Sequence, residues 1–383
     1  MINTNFKLGI LGGGQLGKML ALAAANWELP IAALDRDPTY PAGAHVTYFT
    51  EGDFNNYHDV LAFGRTVDVL TIEIEHVNTD ALRQLRDEGV IVHPDPDALD
   101  IIKDKGKQKQ FYHDHNLPTS STHFFENDTE LREALREGSI ELPFVQKARS
   151  GGYDGRGVQL VQRVEDLEKI FPTPSIVEPL VDIEKELAVI VARNPAGEVV
   201  AFPPVEMVFH PTANLVELLA CPADIDPTIA EEAEAIARRT IETYGLCGLL
   251  AVELFLTRGG DILINEVAPR PHNSGHHTIE SCETSQFEQH LRAVLNLPLG
   301  STRLRRPAAM VNLLGADGHT GTTRYEGLTE ALSVPGAHIH LYGKTQTRPF
   351  RKMGHATVLA DNVARAGELA RRVQAALQIV AVG

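Results

Sequence analysis

The sequence predicts an α/β and α+β protein that starts with a doubly wound parallel sheet and ends in a small β-rich domain. Over about the first hundred residues, short apolar runs alternate with helix-like stretches, a pattern typical of parallel strands covered by helices. Residues 306–383 instead combine short strands and turns with one late helix. With 383 residues the chain is too long for one ordinary hydrophobic core, so we expect two or three domains.

The individual elements follow from apolar runs bounded by turn residues. The predicted elements of the N-terminal part are strand Phe6–Leu11, helix Gln15–Asn26, strands Ile31–Leu34 and Val67–Ile74, helix Asp80–Glu88 and strand Val90–Val92. Those of the middle part are strands Pro143–Lys147, Gly157–Val161, Ser175–Glu178 and Leu187–Ala192 and helix Asp226–Tyr244. That helix has Asp226 as N-cap, Pro227 in its first turn and Gly245 as its stop signal.

These elements divide into three predicted domains. We expect an N-terminal domain over residues 1–103, a central domain over residues 104–305 and a C-terminal domain over residues 306–383. Within the central domain, residues of about 120–185 form a subdomain that carries a glycine-rich loop. The charged helix-like stretch Lys103–His115 marks the first boundary.

The composition indicates a soluble globular protein, with 43% hydrophobic and 22% charged residues. The formal net charge of −16 argues against a nucleic acid or an anionic membrane as the main partner. The sequence shows no signal-peptide pattern and no C-x-x-C pair among its three cysteines. We therefore expect a cytoplasmic protein with reduced thiols.

A first glycine-rich turn, Gly12–Gly17, follows a predicted strand and precedes a helix. With Asp35 about 20 residues further on, the turn fits the G-x-G-x-x-G pattern of dinucleotide-binding proteins. The phosphate-binding P-loop pattern fails, because Met19 replaces the hydroxyl residue that would hold magnesium. Since any tight turn of this kind favours glycine and any helix N-terminus can bind an anion, an NAD-dependent dehydrogenase stays one open alternative.

Two glutamates in the predicted hairpin of residues 248–268 indicate a metal site. If Thr257 pairs with Ile262, Glu253 lies directly opposite Glu266 on the same face. Cross-strand neighbours are about 5 Å apart, and two like charges there are destabilising unless a cation lies between them. Mg²⁺ held by two carboxylates and nucleotide phosphates is the natural occupant. The alternative is two glutamates that face solvent in a different register.

A second glycine-rich loop, Ser150–Gly157, lies between two predicted strands. Four of its residues 151–157 are glycine, so its backbone can approach phosphate oxygens and act as a lid. Lys147, at the end of the preceding strand, supplies a positive charge for those phosphates. A lysine, a glycine-rich lid and a hairpin with paired carboxylates, in that order, indicate a nucleotide site more specifically than any one of them.

The motifs resemble those of the ATP-grasp superfamily and, in detail, those of the N5-carboxyaminoimidazole ribonucleotide synthase family. The similar stretches lie between residue 8 and about residue 355, and they are Gly12–Met19, Glu73–His76, Lys103–Lys109, Leu117–Thr119, Gly151–Gly157 and Asn265–Gly275. The last stretch separates this family from most other ATP-grasp ligases. The resemblance implies an ATP-grasp fold whose N-terminal parallel-sheet domain is of the pre-ATP-grasp type.

The resemblance also implies an ATP site. Lys105 and Lys147 would contact the phosphates, Glu178–Val181 would form the hinge that bonds to adenine, and Glu186 would bind the ribose. The residues assigned to ATP are Lys105, Lys147, Gly152, Tyr153, Asp154, Gly155, Arg156, Gly157, Val158, Glu178, Pro179, Leu180, Val181, Glu186, His210, Asn265 and Glu266.

The family resemblance assigns the same two metal ligands that the predicted hairpin indicates. Glu253 and Glu266 would hold Mg²⁺. Lys105 stands where the family often has arginine, and Ala268 stands where many ATP-grasp enzymes have asparagine. The number of metal ions therefore stays open.

The implied reaction is an ATP-dependent carboxylation in purine biosynthesis. Bicarbonate would attack the γ-phosphate of ATP to give carboxyphosphate, and the amine of aminoimidazole ribonucleotide would take up the carboxyl group or released CO₂. Arg270, His272 and Asn273 would bind the carboxyphosphate, and a basic cluster of the C-terminal segment would bind the 5′-phosphate of the ribonucleotide. The residues assigned to that substrate are Gln15, Leu16, Glu73, His76, Tyr153, Lys344, Arg351 and Lys352.

The expected partners are thus ATP, bicarbonate and aminoimidazole ribonucleotide, with Mg²⁺ as cofactor, and the resemblance suggests a homodimer. Two alternatives stay open. One is another ATP-grasp ligase, such as a formate-dependent glycinamide ribonucleotide transformylase. The other, from a different class, is the NAD-dependent dehydrogenase built on the first glycine-rich turn.

Overall fold

In the part of the chain that the structure describes, one parallel sheet and one large antiparallel sheet are accompanied by two smaller sheets. The structure is a computed structural model that describes residue 3 and residues 5–151, 157–209 and 216–382. The predicted fold class, α/β followed by α+β, is confirmed. Within the described residues, no helix is both long and apolar enough to cross a membrane.

The N-terminal part is the predicted doubly wound parallel sheet. Its elements are β1 (Leu8–Leu11), α1 (Gln15–Ala25), β2 (Ile31–Asp35), β3 (Tyr48–Glu51), α2 (Tyr57–Gly64), β4 (Val69–Ile72), α3 (Thr79–Asp87), β5 (Ile91–Val92) and α4 (Pro96–Ile102). The strand order is β3-β2-β1-β4-β5, and all neighbours are parallel. Side chains alternate between the faces, so that Leu8 and Ile10 enter one buried cluster and Leu11 enters another.

A small four-stranded sheet follows. Its region contains α5 (Lys105–Asp114), β6 (His123–Phe125), α6 (Asp128–Glu137), β7 (Phe144–Ala148), β8 (Val158–Val161), a 3-10 helix (Val164–Lys169) and β9 (Ser175–Pro179). The strand order is β6-β9-β7-β8, and all neighbours are antiparallel. Phe144, Val161 and Val177 are buried together with Leu131 of α6, so one face of this sheet is covered by that helix.

The large sheet holds the carboxylate hairpin. Its region contains β10 (Ile183–Arg193), β11 (Val199–Ala201), β12 (Val205–Phe209), β13 (Val216–Cys221), α7 (Pro227–Tyr244), β14 (Gly248–Thr257), β15 (Ile262–Ala268), a 3-10 turn (Asn273–Gly275), α8 (Thr278–Ser281) and α9 (Gln286–Val294). The helix predicted over Asp226–Tyr244 is confirmed as α7. Asp226 caps it by accepting the N–H of Thr228, and Gly245 ends it with a backbone in the left-handed region.

The C-terminal part continues the same sheet. Its elements are β16 (Ala308–Leu314), β17 (Gly321–Glu326), α10 (Leu328–Leu332), β18 (Ala337–Leu341), β19 (Gln346–Thr347), β20 (Lys352–Leu359), α11 (Val363–Ala376) and β21 (Gln378–Ala381). The order of the large sheet is β15-β14-β10-β12-β13-β16-β20-β18, with β11 beside β10. Since β13 pairs with β16, hydrogen bonds cross the boundary expected at residues 305 and 306, and the three-domain division stays a prediction.

Candidate nucleotide and substrate site

Glu253 and Glu266 lie directly opposite each other on the neighbouring strands β14 and β15. The pairing at the turn, from which this opposition was predicted, was wrong. Ile262 pairs with Leu256 and not with Thr257. Continued without interruption, the observed register would therefore leave Glu266 one residue out of line with Glu253.

A β-bulge corrects the register. Leu254 pairs with Ile264, whereas the next pair is Glu253 with Glu266, so Asn265 is an extra residue on β15. A bulge of this kind re-aims side chains next to functional sites. Here the bulge brings the two carboxylates face to face and places the Asn265 amide beside them, with its Nδ2 3.5 Å from Glu253 Oε2.

The two carboxylates have opposite pKa shifts. Burial, together with the negative charges of Glu266 and Glu186, raises the pKa of Glu253. Burial acts in the same sense on Glu266, but contact with the Lys105 ammonium lowers the pKa of Glu266 below its ordinary value. Lys105 therefore neutralises one carboxylate, and the other remains a buried site that favours a cation.

Glu186 adds a third carboxylate to this face. On β10, Ala188 lies opposite Glu253, so Glu186, two residues earlier, points to the same side of the sheet. Burial raises the pKa of Glu186 to about 7. The three predicted glutamates, Glu186, Glu253 and Glu266, are thus brought together.

Glu178 lies between two lysine side chains. Lys109 Nζ is 2.6 Å from its Oε1, and Lys147 Nζ is 2.8 Å from its Oε2. Burial opposes ionisation, but the two ammonium groups hold the pKa of Glu178 at about 2. Because its carboxylate is bound to these two lysines, any hydrogen bond from Glu178 to adenine would have to come from the main chain.

Lys109 was missed in the sequence analysis. It is buried and also donates to Thr119 Oγ1 at 2.6 Å and to the Ile264 carbonyl at 3.3 Å. Burial lowers its pKa to about 8. Its only sequence signal was its position within the family-like stretch Lys103–Lys109.

Lys147 connects the small sheet to the hairpin. Its Nζ donates to Asn265 Oδ1 at 2.9 Å. Val158 lies opposite Lys147 and Leu160 lies opposite Val145, so these side chains share the face of Lys147. Val158 and Leu160 are exposed, at 38% and 40%. This face therefore combines a phosphate-compatible cation with an apolar surface suited to a flat ring.

The remaining nucleotide predictions fall at the ends of strands or outside the described residues. Pro179, the last residue of β9, and Leu180 after it are exposed, and Val181 is half-buried. The Gly157 carbonyl accepts the N–H of Ala148 at 2.8 Å. The residues outside the described part of the chain are Gly152, Tyr153, Asp154, Gly155, Arg156 and His210.

The first glycine-rich turn is occupied by side chains of the protein itself. The Glu73 carboxylate accepts the main-chain N–H groups of Gly14 and Gly17 at the N-terminus of α1. Asp35 Oδ2 accepts the N–H of Gly13 at 2.6 Å. A dinucleotide pyrophosphate needs those same donors, and its ribose needs a free acidic residue. The dehydrogenase alternative is therefore wrong.

The same contacts bear on the predicted substrate residues near this turn. Glu73 is 9% exposed, and burial raises its pKa even though two N–H groups bond to it. Leu16 is buried in an apolar cluster with Phe287 of α9, so a ligand could reach only its main chain. Gln15 is half-buried at the start of α1, and His76 is exposed in the loop after β4.

Arg270 and His272 follow directly after the metal hairpin. Arg270 Nη2 is 2.8 Å from Glu75 Oε1, an acidic partner that was missed although it lies within the family-like stretch Glu73–His76. Burial, reinforced by the positive charges of Arg270 and Lys352, lowers the pKa of His272 to about 3. His272 is therefore neutral, with its Nε2 3.7 Å from Glu253 Oε1. Asn273 is half-buried and begins the 3-10 turn.

The predicted basic cluster, Lys344, Arg351 and Lys352, is only partly directed toward Arg270 and His272. Lys352 lies close enough to His272 to affect its pKa. Lys344 Nζ donates to the Lys352 carbonyl at 2.7 Å, and Arg351 Nη1 donates to the Gln346 carbonyl at 2.5 Å. Phosphate binding by this cluster stays a prediction.

Three protein-family models match the chain in succession. A ribonucleotide synthetase preATP-grasp domain matches residues 6–103, an ATP-grasp domain matches residues 110–287, and a phosphoribosylaminoimidazole carboxylase C-terminal domain matches residues 308–369. Together with the opposed carboxylates and the lysines beside them, these matches define an ATP-grasp enzyme.

The chain is 35% identical over 356 residues to the N5-carboxyaminoimidazole ribonucleotide synthase of Bacillus subtilis, an alignment that covers 92% of this chain and 91% of that relative. It belongs to the N5-carboxyaminoimidazole ribonucleotide synthase family. It is also 38% identical over 365 residues to a chloroplastic phosphoribosylaminoimidazole carboxylase of Vigna aconitifolia, covering 93% of this chain but 64% of that relative. The chain thus spans about two thirds of the length of the curated carboxylases of that kind.

Solved structures support the same family. The N5-carboxyaminoimidazole ribonucleotide synthetase of Thermotoga maritima superposes with a TM-score of 0.90 at 42% identity and covers 98% of this chain and 100% of that chain. The synthase of Aspergillus clavatus, solved with ADP and 5-aminoimidazole ribonucleotide, has a TM-score of 0.88 at 33% identity and covers 97% and 100%.

Proposed function

We propose that this chain is an ADP-forming ligase that uses ATP and bicarbonate to carboxylate 5-aminoimidazole ribonucleotide to N5-carboxyaminoimidazole ribonucleotide, in purine biosynthesis. The observation that carries the proposal is the opposed pair Glu253 and Glu266, joined to the small sheet through Asn265 and Lys147. The names of the family members, and the ADP and ribonucleotide in the Aspergillus clavatus structure, agree with it.

The residues at this pair fit Mg²⁺. Glu253 and Glu266 offer the hard oxygen ligands that Mg²⁺ prefers, and burial beside two other carboxylates raises the pKa of Glu253, so its ionised form needs a bound cation. Bound there, Mg²⁺ would neutralise charge on the nucleotide phosphates. Lys105, which contacts Glu266, is placed to move to a phosphate oxygen when that carboxylate takes a metal ion.

The proposed first step forms carboxyphosphate. An oxygen of bicarbonate bonds to the γ-phosphorus of ATP, and the bond from that phosphorus to ADP breaks. Lys147, held by Glu178 and Asn265, supplies a fixed positive charge for the transferring phosphoryl group. A charge fixed in advance does not have to reorganise during the reaction, which is where such sites gain their rate.

The second step transfers the carboxyl group to the amine of the ribonucleotide. The amine nitrogen bonds to the carboxyl carbon, phosphate leaves, and the amine loses a proton. Arg270, held by Glu75, supplies a cation for the carboxyphosphate. His272 is neutral, so it contributes an N–H group rather than a charge. Asn273 lies next to it as a further polar contact.

The proposal is tested by the substrate dependence of ADP formation. We expect ADP release to require both bicarbonate and aminoimidazole ribonucleotide, with labelled bicarbonate carbon appearing in the product. ADP release with formate and glycinamide ribonucleotide instead would identify the other ATP-grasp ligase. If bicarbonate has no effect on ADP release, the proposed reaction is wrong.

Two further expectations belong to this proposal. We expect the enzyme to be cytoplasmic and to form a homodimer, as the family resemblance suggests. Sedimentation of the purified chain at micromolar concentration would test the homodimer, and a single species with the mass of one chain would contradict it.

A further inference from the structure

The side-chain amide of Gln286 is bonded to both main-chain groups of His272. Gln286 is the first residue of α9 and is fully buried. Its Oε1 accepts the N–H of His272 at 2.9 Å, and its Nε2 donates to the His272 carbonyl at 2.7 Å. The amide therefore holds the backbone of His272 in the same way that one peptide group holds another in a β-ladder.

Gln286 is itself fixed, and the turn after His272 is built around it. Its main-chain N–H donates to Thr278 Oγ1 at 2.8 Å, and its Nε2 lies 3.1 Å from His276 Nδ1. A Cβ atom at Gly275 would come within 2.4 Å of Gln286 Oε1. The turn can therefore contact the amide this closely only with glycine at position 275.

The backbone position of His272 determines where its ring donates. Its Nδ1 accepts the N–H of Ser274 at 3.4 Å and lies 2.8 Å from Ser274 Oγ. The ring proton is then on Nε2, the atom that lies 3.7 Å from Glu253 Oε1. A shift of the His272 backbone would turn this N–H away from the carboxylate hairpin.

We propose that Gln286 is a positioning residue that acts through His272, and that it keeps ATP cleavage coupled to carboxylation. This inference rests on the proposed function. A displaced His272 would leave the phosphate-binding lysines and the carboxylate pair in place, so carboxyphosphate would still form. Its transfer to the amine would slow, and water would convert it to bicarbonate and phosphate, so ATP would be consumed without product.

The same helix offers a matched control. Gln289 of α9 is equally buried, and its amide also bonds to both main-chain groups of one residue. Its Nε2 donates to the Gly300 carbonyl at 2.9 Å, and its Oε1 accepts the N–H of Gly300 at 2.9 Å. Gly300 is not among the site residues. Gln289→Met therefore removes an equivalent pair of hydrogen bonds without affecting His272.

The experiment compares wild type, Gln286→Met and Gln289→Met for ADP formed, labelled carbon fixed and thermal midpoint. We expect a drop in thermal midpoint for both variants, because each loses the pair of buried hydrogen bonds to one residue's main chain, and a somewhat larger drop for Gln286→Met, which also loses the contact with His276 Nδ1. Gln286→Met alone should fix carbon on the order of 10- to 100-fold more slowly and release several ADP per product, with little change in the KM for ATP. Gln289→Met should keep the wild-type ratio of ADP to product.

Gln286→Glu provides a second variant in case Gln286→Met does not fold. It keeps an acceptor for the His272 N–H but loses the donor to the His272 carbonyl, so partial uncoupling is expected. Equal ADP-to-product ratios in wild type and in a folded Gln286 variant would overturn the role of Gln286. A wild-type chain that fixes no carbon would instead overturn the proposed function.

Discussion

Arg270 and Glu75 form an ion pair that links the carboxylate hairpin to the N-terminal parallel-sheet region. Arg270 Nη2 and Glu75 Oε1 are 2.8 Å apart. Both side chains are largely buried, at 21% and 18% exposure, so the pair is poorly screened by solvent. Burial opposes ionisation of Glu75, but Arg270 keeps the pKa of this carboxyl below its ordinary value. The pair therefore fixes the position of the guanidinium group that we assign to the carboxyphosphate.

Glu75→Gln is the first test of this arrangement. The amide keeps the size of the side chain but not its charge, so Arg270 loses its orienting partner. We expect carbon fixation to fall roughly 10-fold or more, with ATP affinity nearly unchanged, in steady-state kinetics.

Glu88→Gln is the control, because it removes a carboxylate from an exposed ion pair with Arg65. Such pairs contribute little, so its activity should match wild type. Equal activity of Glu75→Gln and Glu88→Gln would contradict the assigned role of Glu75.

The carboxylate pair predicts metal-dependent nucleotide binding. Glu253→Gln and Glu266→Gln each remove one of two charged ligands, so we expect the Mg²⁺-dependent part of ADP binding to be lost in calorimetry. Glu232→Gln on the exposed side of α7 should bind as wild type does. Retained Mg²⁺ dependence in both hairpin variants would place the metal elsewhere.

The lysines around Glu178 predict a pH effect on stability. The pKa of Glu178 is about 2 in the folded chain and returns to its ordinary, higher value on unfolding. The group therefore stabilises the fold above its ordinary pKa, and this stabilisation is lost as the pH falls toward 2. Denaturant unfolding of wild type from pH 7 to pH 3 should show this decline.

Lys109→Met should weaken that decline. It removes one of the two cations that lower the Glu178 pKa, so the folded-state pKa should lie closer to its ordinary value and less stability should be lost as the pH falls. The substitution should also lower the free energy of unfolding by about 3–5 kcal/mol at neutral pH, because the buried Glu178 carboxylate loses one of its ion-pair partners. Lys169→Met, which removes an exposed pair with Asp166, should show neither effect.

The first glycine-rich turn, whose N–H groups are bonded by Glu73 and Asp35, predicts a steric effect of substitution. At Gly14, a Cβ atom would lie 2.6 Å from Glu73 Oε1, so Gly14→Ala should displace the carboxylate and lower the unfolding free energy by about 1–3 kcal/mol. Gly259→Ala, where the nearest atom is 3.5 Å away, should have little effect. NAD should not bind to wild type in calorimetry, and saturable NAD binding would contradict the filled turn.

Local patterns in the sequence were enough to predict several features of this protein. The strand and helix alternation and the helix after Asp226 depend on residue periodicity and caps within short segments, whereas the opposition of Glu253 to Glu266 was predicted from a turn pairing that the structure does not have. The family-like stretches likewise pointed to an ATP-grasp enzyme. Such features can be predicted because neighbouring residues determine most of the local backbone geometry.

Tertiary structure decided what those same motifs are used for. The Asn265 bulge set the register of the carboxylate pair, and Glu73 turned a dinucleotide-like glycine turn into an internal contact. Glu75, Lys109 and Gln286 reach partners far away in sequence, so no periodicity marks them. Each depends on which buried donors and acceptors become neighbours after packing, because a buried polar group must find its partner wherever the fold places one.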